Sequence, residues 1–255
     1  MIALTTTSYR ICTLLLLKRG NKMVYEVIDN VSRIESGKRF DSEDIVLIEL
    51  DLEIKVNNKS VDVIKCCSPN DLEELIYGYL WSNRFIGCKE DVISVSIDKE
   101  NYLANIVLSE NAAFQELEPN PDFTLKVSEV SSMAKKFIPG SENFRSTGAL
   151  HSVALCSGSD ILFYSEDLSR HSALDKTLGK ALLAGAKMSN CYVMTSGRIP
   201  IDVLRKVLTC GIPAICSRSA PSYSTILLAR ETKTILCGFV RENRMNIYNG
   251  KERVF

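Results

Sequence analysis

Cys191-Tyr192-Val193-Met194 runs into Thr195-Ser196-Gly197-Arg198, and Ala214-Ile215-Cys216 runs into Ser217-Arg218-Ser219-Ala220-Pro221. A third apolar run, 234–239, leads into Gly238-Phe239-Val240-Arg241 and then Arg244. Between the three lie helix-patterned segments, 201–210 stopped by Gly211 and 222–230. Short apolar runs bounded by turn residues read as strands buried on both faces. Strands that alternate with helices build a parallel sheet with right-handed crossovers. This stretch predicts β-α-β-α-β and decides an α/β class.

Working outward, 153–156 and 161–165 flank the turn Ser157-Gly158-Ser159-Asp160 and read as a hairpin. A helix is predicted over 172–184, with Leu174, Leu178, Ala181 and Leu182 on one face and Gly185 ending it. In the first half, 45–56 and 61–66 read as two strands around Asn57-Asn58. Ser68-Pro69-Asn70-Asp71 reads as a capped helix start with an N1 proline. Helical spacing of Leu72, Leu75, Ile76, Tyr79 and Leu80 follows. A second hairpin covers 92–97 and 102–108, 111–122 is a loop, and 127–137 is a short helix broken by Pro139-Gly140. The expected organisation is a smaller N-terminal α+β subdomain over 23–125 and a C-terminal α/β domain over 126–255. The first 22 residues read as a disordered tail or a misassigned start ahead of Met23.

The charge is zero over the whole chain and uneven along it. From Ser141 onward 15 Lys and Arg stand against 9 Asp and Glu, hence +6; the rest holds 16 against 22, hence −6. Such a bias suits an anionic ligand on the C-terminal half, although scattered surface charge produces the same count. No basic run resembles a nucleic-acid arm, so no nucleic acid is expected. The apolar run 11–17 is too short to span a bilayer, so no membrane is expected either. Nine cysteines show no Cys-x-x-Cys and no zinc spacing. Free buried cysteine is the expectation, with a reducing, cytoplasmic compartment. Two histidines without such spacing make no conventional zinc site, and no tightly bound metal is expected.

Ligands of open α/β sheets bind beyond the carboxyl ends of the strands. Here those ends are rich in hydroxyls and arginine, and two of them open helices, whose N-termini attract phosphates. Plain capping explains one such loop; three basic ends on one sheet edge favour a phosphate-bearing ligand. Both histidines, His151 and His171, lie in dense polar sequence. His171 and Asp175 stand four apart, so a pair on one helix face is expected. His151 reads equally as a hydrogen-bonded core residue or a site residue.

These residues carry a resemblance to the formate dehydrogenase accessory protein family, FdhD. Phe144-x-x-Thr147-Gly148-x-x-His151 resembles the family's Phe-x-x-Thr-Gly-Gly-x-His. Glu166-Asp167-x-x-Arg170-His171-x-Ala173-x-Asp175-Lys176-x-x-Gly179 resembles its Glu-Asp-Val-Gly-Arg-His-Asn-Ala-Val-Asp-Lys run. Thr195-Ser196-Gly197-Arg198, Ser219-Ala220-Pro221 and Gly238-Phe239-x-Arg241-x-x-Arg244-x-Asn246-x-Tyr248 complete the order, and five motifs in sequence are specific. The resemblance implies a cytidine-deaminase-like core, usually dimeric, and a cytoplasmic role in maturing molybdenum formate dehydrogenase. It implies a cysteine desulfurase as sulfur source. The acceptor it implies is the molybdenum cofactor, a bis(molybdopterin guanine dinucleotide). Phe239, Val240, Arg241, Glu242, Asn243 and Arg244 match the family's cofactor-contacting stretch. The remaining candidate contacts are Thr147, Gly148, His151, Arg170, His171, Asp175, Lys176, Ser196, Gly197, Arg198 and Ser219.

The chain departs from the family where its sulfur relay stands. A Cys-Gly-x-Cys-Gly loop is replaced by Val107-Leu108-Ser109-Glu110-Asn111-Ala112-Ala113-Phe114. Accepting and releasing sulfane sulfur needs a thiolate, which serine does not supply. Ala149 replaces the second Gly, and Ser169 the Gly before Arg170, which implies that a special backbone angle is relaxed there. Two classes of function follow. One is a sulfur carrier for the molybdenum cofactor that uses another cysteine. The other is a binding module that holds a guanine nucleotide or the molybdopterin ligand without transferring sulfur. An active deaminase is disfavoured for want of a zinc-ligand signature.

Overall fold

The computed structural model describes residues 24–137 and 142–255. The expectations for the first 22 residues and for the break at Pro139-Gly140 lie outside the described residues. Strands β1 (Tyr25–Glu35) and β2 (Lys38–Leu47) form an antiparallel ribbon. The strand expected over 45–56 is in fact two. β2 ends at Leu47, and β3 (Leu50–Val56) begins a separate sheet. β3 turns through Asn57-Asn58, both at positive φ, into β4 (Lys59–Cys67). Helix α1 (Leu72–Ser82) follows. Its cap is Asp71 at φ 51°, so Pro69 is not the first helical residue as expected. The Asp71 carboxylate makes no cap and instead meets Lys180 Nζ at 2.8 Å. The predicted hairpin forms as β5 (Val92–Asp98) and β6 (Leu103–Leu108), and β6 runs parallel to β3, giving the order β4-β3-β6-β5.

Helices α2 (Val127–Phe137) and α3 (Glu142–Thr147) precede the hairpin β7 (His151–Ser157) and β8 (Asp160–Asp167). Then come α4 (Arg170–Leu183), β9 (Tyr192–Thr195), α5 (Ile201–Thr209), β10 (Ala214–Ser217), α6 (Tyr223–Glu231), β11 (Ile235–Arg241) and β12 (Arg244–Asn249). The six-stranded sheet has the order β12-β11-β10-β9-β7-β8. β9, β10 and β11 are parallel and β7, β8 and β12 run against their neighbours, so the α/β fold is mixed.

Both faces of the parallel strands are covered, which is why β9 and β10 are apolar without alternation. One face, with Leu155, Val193, Ile215 and Leu236, packs on α1, α4 and α5 in a core that also takes Leu52, Ile54, Ala104 and Ile106 of the smaller sheet. That core runs across the boundary expected at 125/126. The other face, with Ala154, Tyr192, Met194 and Cys216, packs on Val130, Met133, Ala134 and Phe137 of α2.

Two ties fix the halves together. Helices α1 and α4 meet at glycines: a Cβ on Gly78 would lie 1.7 Å from the Asp175 carbonyl oxygen, and one on Gly179 1.8 Å from that of Glu74. Only glycine permits the approach. Beside them, fully buried Lys176 reaches Asp167 Oδ2 at 2.6 Å and donates to the Ser68 carbonyl at 3.1 Å and hydroxyl at 2.9 Å. Asp167 also accepts from the Ser68 hydroxyl and from the Ser68 and Ser169 main-chain N–H groups. Every charge in this tie is paired and hydrogen-bonded, the condition for burying ions.

Candidate anion-binding site

The carboxyl ends of β9, β10 and β11 are stitched into one surface by short-range hydrogen bonds. Thr195 Oγ1 accepts from the Gly197 N–H at 3.2 Å. Ser217 Oγ donates to the Gly197 carbonyl at 2.5 Å and accepts from the Ser219 N–H at 2.9 Å. The Arg218 N–H donates to the Thr195 carbonyl, and the Phe239 N–H to the Ser219 carbonyl, each at 3.0 Å. Ser196 joins the set from the other side, its hydroxyl accepting from the Ser152 N–H of β7 at 2.9 Å. The hydroxyls at these strand ends therefore hold the loops in place.

Gly197 brings β7 and α4 to this surface. A Cβ there would lie 3.3 Å from both Arg170 Cβ and His151 Nδ1. Gly238 is enclosed in the same way, with Tyr248, Pro221 and the Ser219 carbonyl within 3.1 Å of its Cβ position. The next residue, Phe239, sits at φ 52° in a bulge of β11 and is 39% exposed. An aromatic residue in the left-handed region carries strain of about 1–3 kcal/mol, the sort that collects at ligand clamps.

Positive charge concentrates here. Arg241 Nη1 donates to the Arg218 carbonyl at 2.7 Å and to its neighbour Val240 at 2.8 Å. Burial, and then the Arg241 charge, hold the Arg218 guanidinium below its usual pKa. His151 is held below 6.5, first by burial and then by Arg170, with His171 and Arg198 adding to it and Asp167 opposing. The Nε atoms of Arg170 and Arg218 are buried without a hydrogen-bond partner among the described residues. Buried donors that lack acceptors call for one. Arginines with free buried donors fit an anion with several phosphate oxygens.

Not every residue singled out in the sequence keeps the partner or the place expected of it. His171 does not pair with Asp175, as its helix spacing predicts. Its Nε2 lies 3.5 Å from Asp202 Oδ2 on α5. Asp175 turns instead to Ser82 Oγ at 2.7 Å and to Lys206. Lys176 belongs to the buried tie with Asp167 and Ser68. Thr147 ends α3 with its hydroxyl on the Asn143 carbonyl, and Gly148 follows at φ 67°. Val240 is buried in the core beneath α2, Glu242 pairs with Lys135 at 3.1 Å, and Asn243 and Arg244 are exposed where β12 begins. Ser169 has an ordinary φ of −93°, as its replacement of glycine implies. Sequence reasoning counted Arg218 among the basic strand ends but left it out of the candidate contacts, although the loop that offered Ser219 contains it. It also passed over Asp202, whose partner lies on another helix.

Among the described residues the cysteines are mostly buried. Cys156 and Cys216 are fully buried, and burial pushes the Cys156 thiol up to about 12. Cys66 and Cys88 are exposed, against the expectation of burial for Cys88. The Cys66 thiol is raised by Glu49 first and that of Cys88 by burial, so neither is activated as a thiolate.

The model of the FdhD/NarQ family matches residues 104–255, which contain this whole surface. The chain is 30% identical to the sulfur carrier protein FdhD of Listeria innocua, over 88% of this chain and 97% of that one. It is 29% identical to the sulfur carrier protein FdhD of Staphylococcus haemolyticus, over 88% and 95%. A crystal structure from Desulfotalea psychrophila, assigned as a formate dehydrogenase accessory protein, superposes with a TM-score of 0.79 at 27% identity. The superposition covers 91% of this chain and 99% of that one. The similarity extends along most of the molecule's length, and the chain belongs to the FdhD/NarQ family.

Proposed function

We propose that this chain is an accessory protein of formate dehydrogenase maturation that binds the phosphate-bearing guanine nucleotide end of the molybdenum cofactor as cargo. The observation that carries this reading is the pair of unpartnered buried Nε donors, that of Arg218 just after β10 and that of Arg170, which starts α4 against Gly197. The chain would hold the cofactor for its client enzyme, working as a homodimer in the cytoplasm. Arg218, Arg241 and Arg170 would take the phosphates, and the exposed Phe239 would flank the ligand. The strand order β8-β7-β9-β10-β11, a hairpin followed by helix-linked parallel strands, supports the cytidine-deaminase-like relation of the core. Calorimetry with GDP tests the reading. Wild-type protein should bind, and Arg241→Ala combined with Arg244→Ala should weaken binding; no binding by the wild type ends it.

A second reading, transfer of sulfur from a cysteine desulfurase, draws on one observation. The exposed Cys88 lies against the loop where the family carries its cysteines. Ser109 N–H donates to the Asp91 carbonyl at 2.8 Å, and a Cβ on the adjacent Gly87 would lie 2.6 Å from the Ala113 carbonyl oxygen. Persulfide trapping with desulfurase and free cysteine tests it. Labelling at Cys88 supports transfer, and a chain with no labelled cysteine removes it.

A further inference from the structure

Among the described residues, the one carboxylate that faces His171 within ion-pair distance is Asp202. The imidazole sits on α4 between cations. Arg170 on its own helix, Lys206 on α5 and His151 on β7 all act on it or with it, and Asp175 on α4 opposes them more weakly than Asp202. Asp175, the nearest acid by helix spacing, is committed to Ser82 and Lys206. Asp202 is 57% exposed at the side chain, so its charge is held at small desolvation cost. Arg170 links the pair to the strand ends, because it touches the Gly197 position together with His151.

We propose that Asp202 is a positioning residue for His171, holding the imidazole oriented and able to carry charge where an anionic ligand arrives. The proposal rests on reading this surface as an anion site. Without Asp202, His171 would face Arg170, Lys206 and His151 with only the weaker Asp175 to favour its charged form. With Asp202 on one side, a phosphate oxygen nearby completes the balance, and protonation of His171 becomes linked to binding.

The test uses the full chain, with imidazole resonances followed by NMR through the histidine titration and with GDP and inorganic phosphate as probes in calorimetry on both sides of it. In Asp202→Asn the His171 midpoint should move to lower pH. Affinity should fall up to about fivefold between the two midpoints, where only the wild-type imidazole is charged, the scale of one exposed charge pair, and stay unchanged above both. Asp202→Glu should restore the wild-type profile. Melting temperatures that match among the three separate positioning from a plain helix–helix ion pair. An unmoved His171 midpoint in Asp202→Asn, or an unchanged pH profile of binding, overturns the proposal. A chain that takes phosphate but not GDP removes the nucleotide reading while Asp202 is still judged on phosphate. A chain that takes neither overturns both.

Discussion

Arg241 of β11 donates its Nη1 hydrogen to the main-chain carbonyl of Arg218, 2.7 Å away, so the Arg241 guanidinium is anchored to the loop that follows the neighbouring parallel strand β10. Burial first, and then repulsion from the Arg241 charge, hold the Arg218 guanidinium below its usual pKa. An anion relieves the repulsion and stabilises the folded chain by mass action. Inorganic phosphate at constant ionic strength should therefore raise the melting temperature of the wild-type protein and leave Arg218→Ala unmoved. Equal shifts in the two proteins would remove Arg218 from the site.

The crossing of α1 and α4 gives a second expectation. The Cβ positions of Gly78 and Gly179 overlap main-chain carbonyls, which cannot rotate away as a side chain would. Gly78→Ala and Gly179→Ala should each destabilise by about 3 kcal/mol or more, at or beyond the usual range for overpacking. Urea denaturation measures this as a lowered midpoint. A midpoint within about 0.5 kcal/mol of wild type, the range of neutral surface changes, would show that the helices separate freely.

The buried tie makes a third. Lys176→Met leaves the Asp167 charge in the core without its partner and should cost about 3–5 kcal/mol. Removing the charge as well, with Asp167→Asn, should recover part of the loss, because the two sites are coupled. A double-mutant cycle reads the coupling directly, and additive losses would contradict it.

Acid stability gives a fourth. Burial is the largest cause holding both His151 and His171 below 6.5. The unfolded chain then binds protons that the folded chain refuses, so ligand-free stability is present above pH 6.5 and declines as pH falls through that value. Urea midpoints measured above and below that pH should show the decline in wild type and a flatter profile in the His151→Gln, His171→Gln double variant. Parallel profiles would contradict it.

The parallel core was legible because a strand covered on both faces must be apolar throughout, and β9 and β10 are short enough for Ser, Gly and Arg to mark their ends. The ribbon β1–β2 was not legible, since nearly all of its side chains are exposed and no face imposes a period. The early helix start with Pro69 at its first position arose because cap-type residues were read as a helix start, whereas the chain enters α1 through Asp71 in a left-handed turn. At the site, the strand-end loops could be read from their order, but the partner of His171 could not. Helix spacing reports neighbours on one helix, and Asp202 reaches across from α5. Lys176 was misjudged for a related reason: nothing local distinguishes a lysine at a ligand from one buried on Asp167 and Ser68.

The most direct test of the anion site is a crystal structure of the full chain with GDP. The account predicts the diphosphate between Arg218, Arg241 and Arg170, with oxygens within hydrogen-bond distance of the Nε atoms of Arg170 and Arg218. A nucleotide bound away from the ends of β9, β10 and β11, with both Nε atoms still unpartnered, would contradict it.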